Sequence, residues 1–283
     1  MPARPEAMKI EDEDHAAIAA ACEPGVGLCT IVGIDGGFSR RMGAQLAVRP
    51  DRSTVGSMAD GCLEAQLASD IGSAEKPEVV RYGQGSSTID FRLPCGGGLD
   101  ILVDPQPDRA ACKEVMAQLH SRNPASMRLH HDGMSFVRTY LPRLQVAVFG
   151  EGPELARFRT LCAAMNIATD ARAKDDLFLG QPARDLRLDP WTAVLLLFHD
   201  HEWEAALLEQ VLAQDPFYIG AQGGERSREN RAATLAARGI SDDQIARIRS
   251  PVGMIPACKS PDTLALSAVA EIVSEYERLR DTD

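Results

Sequence analysis

One stretch decides the fold of the second half of this chain: Val146-Ala147-Val148-Phe149-Gly150-Glu151-Gly152-Pro153. Its four apolar residues predict a buried strand, its two glycines a tight turn, and its proline the first turn of a helix through Met165. This order of strand, turn and helix is typical of nucleotide-binding folds. Because strands and helices keep alternating from Leu144 onward, we predict an α/β protein in which residues 144–283 form a Rossmann-like parallel α/β domain.

The first third of the chain has a different pattern, in which short strand candidates are separated by turns. Strands are predicted at 27–34, 45–48, 53–57, 79–82, 87–93 and 99–103, and helices over 15–22 and from about Cys62. We therefore expect an N-terminal mixed α+β domain over residues 1–105. Residues 106–143 are predicted to link the two domains, through a helix at 110–120 and then an irregular, polar connection.

Composition excludes several classes of protein. Lysine and arginine number 30 against 41 acidic residues, a formal net charge of −11, so the field of the protein repels nucleic acid. No apolar run is long enough to span a bilayer, and residues 1–14 lack the apolar segment of a signal peptide. We therefore expect a cytoplasmic protein that binds neither nucleic acid nor a membrane.

The seven cysteines are scattered along the chain, and none forms a Cys-x-x-Cys pair. An odd number of thiols in a reducing compartment does not predict a disulfide framework. Their spacing from the histidines also differs from that of zinc ligands. We therefore expect neither structural disulfides nor a structural metal site.

The glycine turn Gly150–Gly152 carries half of a dinucleotide-binding motif. Asp170 stands about 20 residues further on, where an acid that binds ribose is expected. Leu155, however, replaces the third glycine of the motif, and Glu151 and Glu154 put negative charge where a pyrophosphate would bind. The spacing therefore favours the fold over the binding of NAD or NADP.

Two further motifs follow predicted strands of the second domain, at the edge of a parallel sheet where ligands bind. After strand 193–198 comes His199-Asp200-His201. Its two imidazoles suit a metal site or a general base. The alternative is that these residues merely cap the next helix. After strand 216–220 comes Gly220-Ala221-Gln222-Gly223-Gly224-Glu225-Arg226. Its backbone N–H groups and arginine suit a phosphate or another anion, and an ordinary turn with a solvated arginine is the alternative.

Two segments of the first domain place a cysteine among glycines: Gly56-Ser57-Met58-Ala59-Asp60-Gly61-Cys62-Leu63-Glu64 and Cys95-Gly96-Gly97-Gly98. Glycine leaves the sulfur unscreened and lets backbone N–H groups approach a ligand. Cys62 is predicted at the start of a helix, where partial positive charge favours a thiolate and bound anions. The alternative is that both thiols are inert, as most cysteines are.

Together these segments resemble the xanthine dehydrogenase accessory protein family (XdhC/CoxI type). In the first half the resemblance rests on Gly56–Glu64, similar to the family's Gly-Ser-x-x-Gly-Gly-Cys-x-Glu, on Arg40 and on Cys95-Gly96-Gly97. In the second half it rests on His199-Asp200-His201, Tyr218–Ala221, Arg249–Gly253 and Ser260–Ser267. Residues 1–105 are thereby identified as an XdhC/CoxI-like domain.

The resemblance implies a chaperone, without turnover of its own, for the molybdenum cofactor (molybdopterin). Such a protein binds the cofactor, shields it during sulfuration by a cysteine desulfurase, and passes it to a molybdenum hydroxylase of the xanthine dehydrogenase type. The cofactor-binding residues are then expected to be Arg40, Gly56, Ser57, Gly61, Cys62, Glu64, Cys95, Gly96, Gly97, Gly150, Gly152, Asp170, His199, Asp200, His201, Gly220, Gly223 and Arg226.

The chain departs from the family pattern at Ala59-Asp60, at Leu155 and at Ile255-Pro256-Ala257-Cys258, which favours a divergent paralogue. Two functions of other classes stay open. One is an NAD(P)-dependent oxidoreductase that uses Cys62 or His201 as acid–base or nucleophile. The other is a regulatory or scaffold protein that keeps the nucleotide fold without its ligand. The sequence also leaves open the client enzyme and whether the chain forms a homodimer.

Overall fold

The computed structural model describes residues 13–58, 61–86 and 96–281. This part of the chain forms two compact units, and the division falls between Pro142 and Arg143. Each unit contains one five-stranded sheet. None of the helices in the described part of the chain is long and apolar enough to cross a membrane.

The first unit is a mixed α+β structure. Its strands are β1 (Gly27–Asp35), β2 (Gln45–Val48), β3 (Thr54–Gly56), β4 (Glu78–Gly83), β5 (Gly98–Asp104), β6 (Ala125–His131) and β7 (Met134–Tyr140). Its helices are α1 (Glu13–Ala21), α2 (Gly61–Ser73) and α3 (Arg109–His120). The main sheet has the order β3-β2-β1-β5-β4, and every neighbouring pair in it is antiparallel.

Helices cover both faces of this sheet because side chains alternate along each strand. Leu102 of β5 belongs to a buried cluster with Ile18 of α1 and Val115 of α3. Its neighbour Ile101 belongs to the cluster on the other face, with Leu63 of α2. Each buried aliphatic side chain of this kind stabilises the fold by about 1.5–3 kcal/mol. The start of α2 is thereby held against the sheet.

A hairpin replaces part of the predicted linker. Residues 121–141 were expected to be irregular, and this prediction is wrong because β6 and β7 pair as antiparallel strands from Ala125↔Tyr140 to His131↔Met134. Asp132 and Gly133 between them have positive φ angles of 43° and 80°, as two-residue hairpin turns require. The strand predicted at 87–93 lies outside the described residues.

The second unit alternates strands and helices. Its strands are β8 (Gln145–Gly150), β9 (Ala168–Ala173), β10 (Thr192–Leu197), β11 (Tyr218–Ala221) and β12 (Ile248–Arg249). Its helices are α4 (Gly152–Ala164), α5 (Glu204–Leu212), α6 (Glu225–Ala237), α7 (Asp242–Ala246) and α8 (Pro261–Asp281), with 3-10 turns at Lys174–Asp176 and His201–Trp203. The sheet order is β12-β11-β10-β8-β9, and every neighbouring pair is parallel. The predicted Rossmann-like parallel domain is confirmed.

Burial on both faces explains the continuous apolar run of β10. Val194 packs with Leu208 of α5 in one core cluster, whereas Leu195 packs with Phe158 of α4 in the other. The short edge strand β12 follows α7 and pairs with β11 at the edge of the sheet. The direction in which new strands are added reverses between β8 and β10, and the crevice at their carboxyl ends is where ligands of such sheets bind.

Candidate functional site

Gly150 and Leu197 lie opposite each other at the carboxyl ends of β8 and β10. A Cβ atom on Gly150 would lie 2.7 Å from the carbonyl oxygen of Leu197, so the two strand ends approach this closely only with glycine. The turn that follows brings Glu151 to His199, whose backbone N–H donates to Oε1 of Glu151 at 3.3 Å. The predicted glycine turn and histidine motif therefore meet at this edge of the sheet.

A lysine just after β9 joins this edge. Lys174 Nζ lies 2.9 Å from Oε2 of Glu151 and 3.9 Å from Oδ2 of Asp200. It also lies 5.3 Å from the centre of the Trp203 ring, within the range of a cation–π interaction. The hydrogen bond from Lys174 lowers the pKa of Glu151, so this carboxylate is ionised at neutral pH.

The crevice does not fit a dinucleotide. Asp170 pairs with Ala147 in the middle of β9, not at the carboxyl end where a ribose would lie, and Arg172 Nη2 holds its carboxylate at 2.8 Å. At the turn itself, a pyrophosphate would meet the ionised Glu151 and the carboxylate of Glu154. Negative charge and the position of the acid both disfavour NAD and NADP.

The glycine motif after β11 touches the histidine motif through a serine. Gly223 has a φ of +124°, and a Cβ there would lie 2.6 Å from Cβ of Ser227. Nε2 of His201 lies 3.1 Å from Oγ of Ser227. A Cβ on Gly220 would lie 2.7 Å from the ring of Tyr218, so this position is also restricted to glycine. His201 and Gly223, both predicted site residues, are thereby brought together.

A buried ion pair between Arg231 and Glu204 adjoins His201. Arg231 donates from Nε to Oε2 of Glu204 at 2.7 Å and from Nη2 to Oε1 at 3.2 Å. Its remaining donors reach Oγ of Ser250 at 3.0 Å and the carbonyl oxygen of Gln222 at 2.8 Å. Oε1 of Glu204 also lies 3.1 Å from Nδ1 of His201. The pair thus ties α5 and α6 to the loops after β11 and β12.

Three arginines of α6 have different surroundings. Arg226, the predicted anion ligand, is exposed and makes no ion pair within the described residues. Arg228 pairs with Glu225 of the same helix turn. Arg231 is the buried one of the three. Asp200 caps the 3-10 turn, since its side chain accepts from the backbone N–H of Glu202 at 3.1 Å, the alternative role considered for it.

The predicted residues of the first unit form a second cluster. Arg40 Nη2 donates to Oγ of Ser57 at 2.8 Å, and the backbone N–H of Met58 donates to Oε1 of Glu64 at 3.1 Å. Cys62 is exposed in the first turn of α2, as predicted. Nε of Arg40 is buried and has no hydrogen-bond partner among the described residues. Arg40 and Ser57 thus bring a guanidinium and a hydroxyl together, and Cys62 provides a free thiol in the first turn of α2.

The second cysteine segment is only partly described. Cys95 lies outside the described residues, whereas Gly96 follows with a φ of +70°. The carbonyl oxygen of Gly97 accepts from the backbone N–H of Gln84 at 3.0 Å. A Cβ on Gly36 would lie 3.6 Å from Cα of Gly97, which places this turn beside the end of β1.

Sequence models of known families match the chain in two places. The model described as "XdhC and CoxI family" matches residues 20–83, and the model described as "XdhC Rossmann domain" matches residues 102–272. The chain belongs to the XdhC and CoxI family. The resemblance stated from the sequence motifs is therefore confirmed.

Two curated relatives match the chain over nearly its whole length. The molybdenum cofactor insertion chaperone PaoD of Escherichia coli (strain K12) is 31% identical, over 96% of this chain and 91% of PaoD. A probable xanthine dehydrogenase subunit of Bacillus subtilis (strain 168) is 21% identical, over 95% of this chain and 96% of that protein.

A solved structure has the same fold. The crystal structure of a Bacillus halodurans protein, described as a xanthine dehydrogenase, superposes on this chain with a TM-score of 0.70 at 19% identity. The match covers 95% of this chain and 96% of that one. At this identity the similarity establishes the fold alone.

Proposed function

We propose that this protein is a cytoplasmic accessory protein that binds molybdenum cofactor and supports its sulfuration and insertion into a molybdenum hydroxylase of the xanthine dehydrogenase type. The observation that carries the proposal is the 31% identity to PaoD, a molybdenum cofactor insertion chaperone, over 96% of the chain. A relationship over the whole length supports a shared role better than a match to one domain does, because a fold alone hosts many functions.

The cluster of the first unit fits such a cofactor. The cofactor supplies molybdenum held by dithiolene sulfurs, together with a phosphate. Arg40 has a buried Nε without a partner in the described part of the chain, and the Ser57 hydroxyl adds a further donor suited to a phosphate. The Cys62 thiol is a soft ligand of the kind that suits molybdenum and sulfur transfer. We therefore assign Arg40, Ser57, Gly61 and Cys62 to cofactor binding.

The glycine motif of the second unit is the other candidate for the anionic group. Gly223, His201 and the exposed guanidinium of Arg226 lie along the start of α6. Paired variants separate the two candidates, since Arg40→Ala and Arg226→Ala each remove one guanidinium. Loss of one charge-assisted hydrogen bond weakens binding by about 1.5–3 kcal/mol. We expect this loss in Arg40→Ala if the phosphate lies in the first unit, and in Arg226→Ala if it lies in the second.

The partners belong to the proposal as well. A chaperone of this kind must contact a molybdenum hydroxylase and, for sulfuration, a cysteine desulfurase; a homodimer also stays a prediction. Anaerobic gel filtration of the purified protein, alone and mixed with each enzyme, tests all three. A change in the elution of both components on mixing supports a complex, and unchanged elution at micromolar concentrations contradicts it.

The competing functions make different predictions. An NAD(P)-dependent oxidoreductase should bind dinucleotide, which the carboxylates at Glu151 and Glu154 disfavour. A regulatory or scaffold protein should bind neither dinucleotide nor cofactor.

The deciding experiment uses protein purified anaerobically from a host that makes the cofactor. Pterin fluorescence after oxidation and molybdenum content are measured for the wild type, Cys62→Ser and Cys258→Ser. We expect cofactor on the wild type and on the Cys258 variant, with a marked loss only in Cys62→Ser. Wild-type protein without pterin would contradict the proposal, and equal loss in both variants would contradict the assignment of Cys62.

A further inference from the structure

Three side chains of the second unit stand in the order of a nucleophile, a base and an acid. Oγ of Ser227 lies 3.1 Å from Nε2 of His201, and Nδ1 of the same ring lies 3.1 Å from Oε1 of Glu204. Ser227 lies in the first turn of α6, whereas His201 and Glu204 come from the segment that begins α5. A serine hydroxyl whose proton can pass to an imidazole backed by a carboxylate is the general arrangement of an activated serine.

The acid of this group is held firmly while the base is accessible. The Glu204 side chain is 2% exposed and accepts two hydrogen bonds from Arg231, so its position is fixed. The His201 side chain is 37% exposed, so a substrate can reach it. The nearby carboxylate favours a proton on Nδ1, which leaves Nε2 free to accept the proton of Ser227. The contact to Glu204 acts through charge, because Nδ1 does not meet Oε1 as an aligned hydrogen bond.

A glycine makes room for this contact. A Cβ on Gly223 would lie 2.9 Å from Oγ of Ser227 and 3.5 Å from Cε1 of His201. Any other residue would displace the hydroxyl from the imidazole or move the helix. The glycine is thus required by the packing of the serine and histidine themselves, independently of their hydrogen bond.

The surroundings also provide hydrogen-bond donors for a carbonyl oxygen and access for water. The first backbone N–H groups of α6 have no partner within the helix, and they can donate to the oxygen of a carbonyl held above Ser227. A cavity of about 50 Å³ is lined by His201, Glu204 and Asn230 among others. This volume has room for a few water molecules, so water can reach the base.

We propose that Ser227 is a nucleophile that hydrolyses small carboxylic esters, with His201 as its base and Glu204 as the residue that positions the base. The Oγ–carbon bond of an acyl-serine forms as the Ser227 proton passes to Nε2 of His201, and the ester carbon–oxygen bond breaks as that proton passes to the departing alcohol. Water then adds to the acyl-serine, releases the carboxylic acid and restores the Ser227 hydroxyl. This activity does not depend on cofactor binding.

A second serine of the same unit provides an internal control. Ser260 precedes α8, its hydroxyl lies 2.8 Å from Oγ1 of Thr263, and it accepts from the backbone N–H of Thr263 at 3.2 Å. Ser260, like Ser227, lies at the start of a helix, but its hydroxyl contacts the hydroxyl of Thr263 and not an imidazole. A reagent that merely prefers serines at helix starts will not distinguish the two.

The test is the reaction of the full chain with a fluorophosphonate probe, with the modified residue found by peptide mass spectrometry. We expect modification of Ser227 and not of Ser260, at a rate that falls about 100-fold in His201→Asn, since a positioned base contributes at least about this factor. The tryptophan emission spectrum of the variant checks its folding and should match that of the wild type. Wild-type protein unmodified at Ser227, or modified equally fast in folded His201→Asn, would overturn the proposal.

Discussion

Arg231 and Glu204 form a two-point ion pair in the core of the second unit, with N···O distances of 2.7 and 3.2 Å. Their side chains are only 4% and 2% exposed, so removing one leaves the other charge buried without compensation. Breaking such a pair costs about 3–5 kcal/mol. We expect Arg231→Met to lower the free energy of unfolding by about this amount, measured by urea unfolding followed by the fluorescence of Trp191 and Trp203, both in this unit.

Arg238→Met is the matched control. Arg238 pairs with Glu209 at 3.0 Å, but both side chains are well exposed, at 42% and 47%. Exposed pairs contribute about 0–1 kcal/mol. Equal losses in the two variants would show that burial of Arg231 does not stabilise the unit as described.

Gly223→Ala should destabilise the protein far more than Gly224→Ala. Gly223 has a φ of +124°, and its new Cβ would lie 2.6 Å from Cβ of Ser227. Strain of this kind costs about 1–3 kcal/mol. A Cβ on Gly224 would meet nothing within 4 Å, and its φ of −82° is ordinary for alanine. The urea midpoint of each variant measures the difference, and a Gly224 variant as unstable as Gly223→Ala would refute it.

NAD and NADP should bind with dissociation constants above about 1 mM, which corresponds to a binding free energy weaker than about −4 kcal/mol. The reason is the ionised Glu151 at the glycine turn, joined by Glu154 in the first turn of α4. Isothermal titration calorimetry measures this directly. Removing both charges, in Glu151→Gln with Glu154→Gln, should tighten binding, and micromolar binding by the wild type would support the oxidoreductase instead.

Iodoacetamide should modify Cys62 before the buried thiols. Cys62 is exposed, whereas burial raises the pKa of Cys162 to about 11 and that of Cys112 to about 12. Because the thiolate is the reactive form, the two buried residues stay protonated and unreactive at about pH 8. Peptide mass spectrometry over a time course gives the order, and labelling of Cys162 ahead of Cys62 would contradict the placement of the thiol.

The parallel sheet could be predicted because its signals are local. A continuous apolar run such as Val146–Phe149 marks a strand that is buried on both faces, and the glycines after it mark the turn into α4. The hairpin β6–β7 was missed for the opposite reason. Its first strand buries only Met127 and Leu129, and these alternate with the exposed Arg128 and His130. Polar positions of this kind are also typical of a loop.

The buried parts of the candidate site depend on contacts between distant segments. Nothing in the order Arg226, Arg228, Arg231 indicates which arginine faces inward, because that depends on how α6 packs against α5. The meeting of His201 with Ser227 likewise follows from the neighbouring positions of β10 and β11 in the sheet. The spacing His201-x-x-Glu204 was the one local signal of the buried acid, since residues three apart share a helix face.

We propose that molybdenum cofactor binds through the first unit. The most direct measurement is anaerobic equilibrium binding of isolated molybdenum cofactor to the purified full chain, wild type beside Cys62→Ser and Cys258→Ser. We expect a dissociation constant of about 1 µM or tighter for the wild type, about −8 kcal/mol, with weakening in Cys62→Ser alone. No binding by the wild type would contradict the claim.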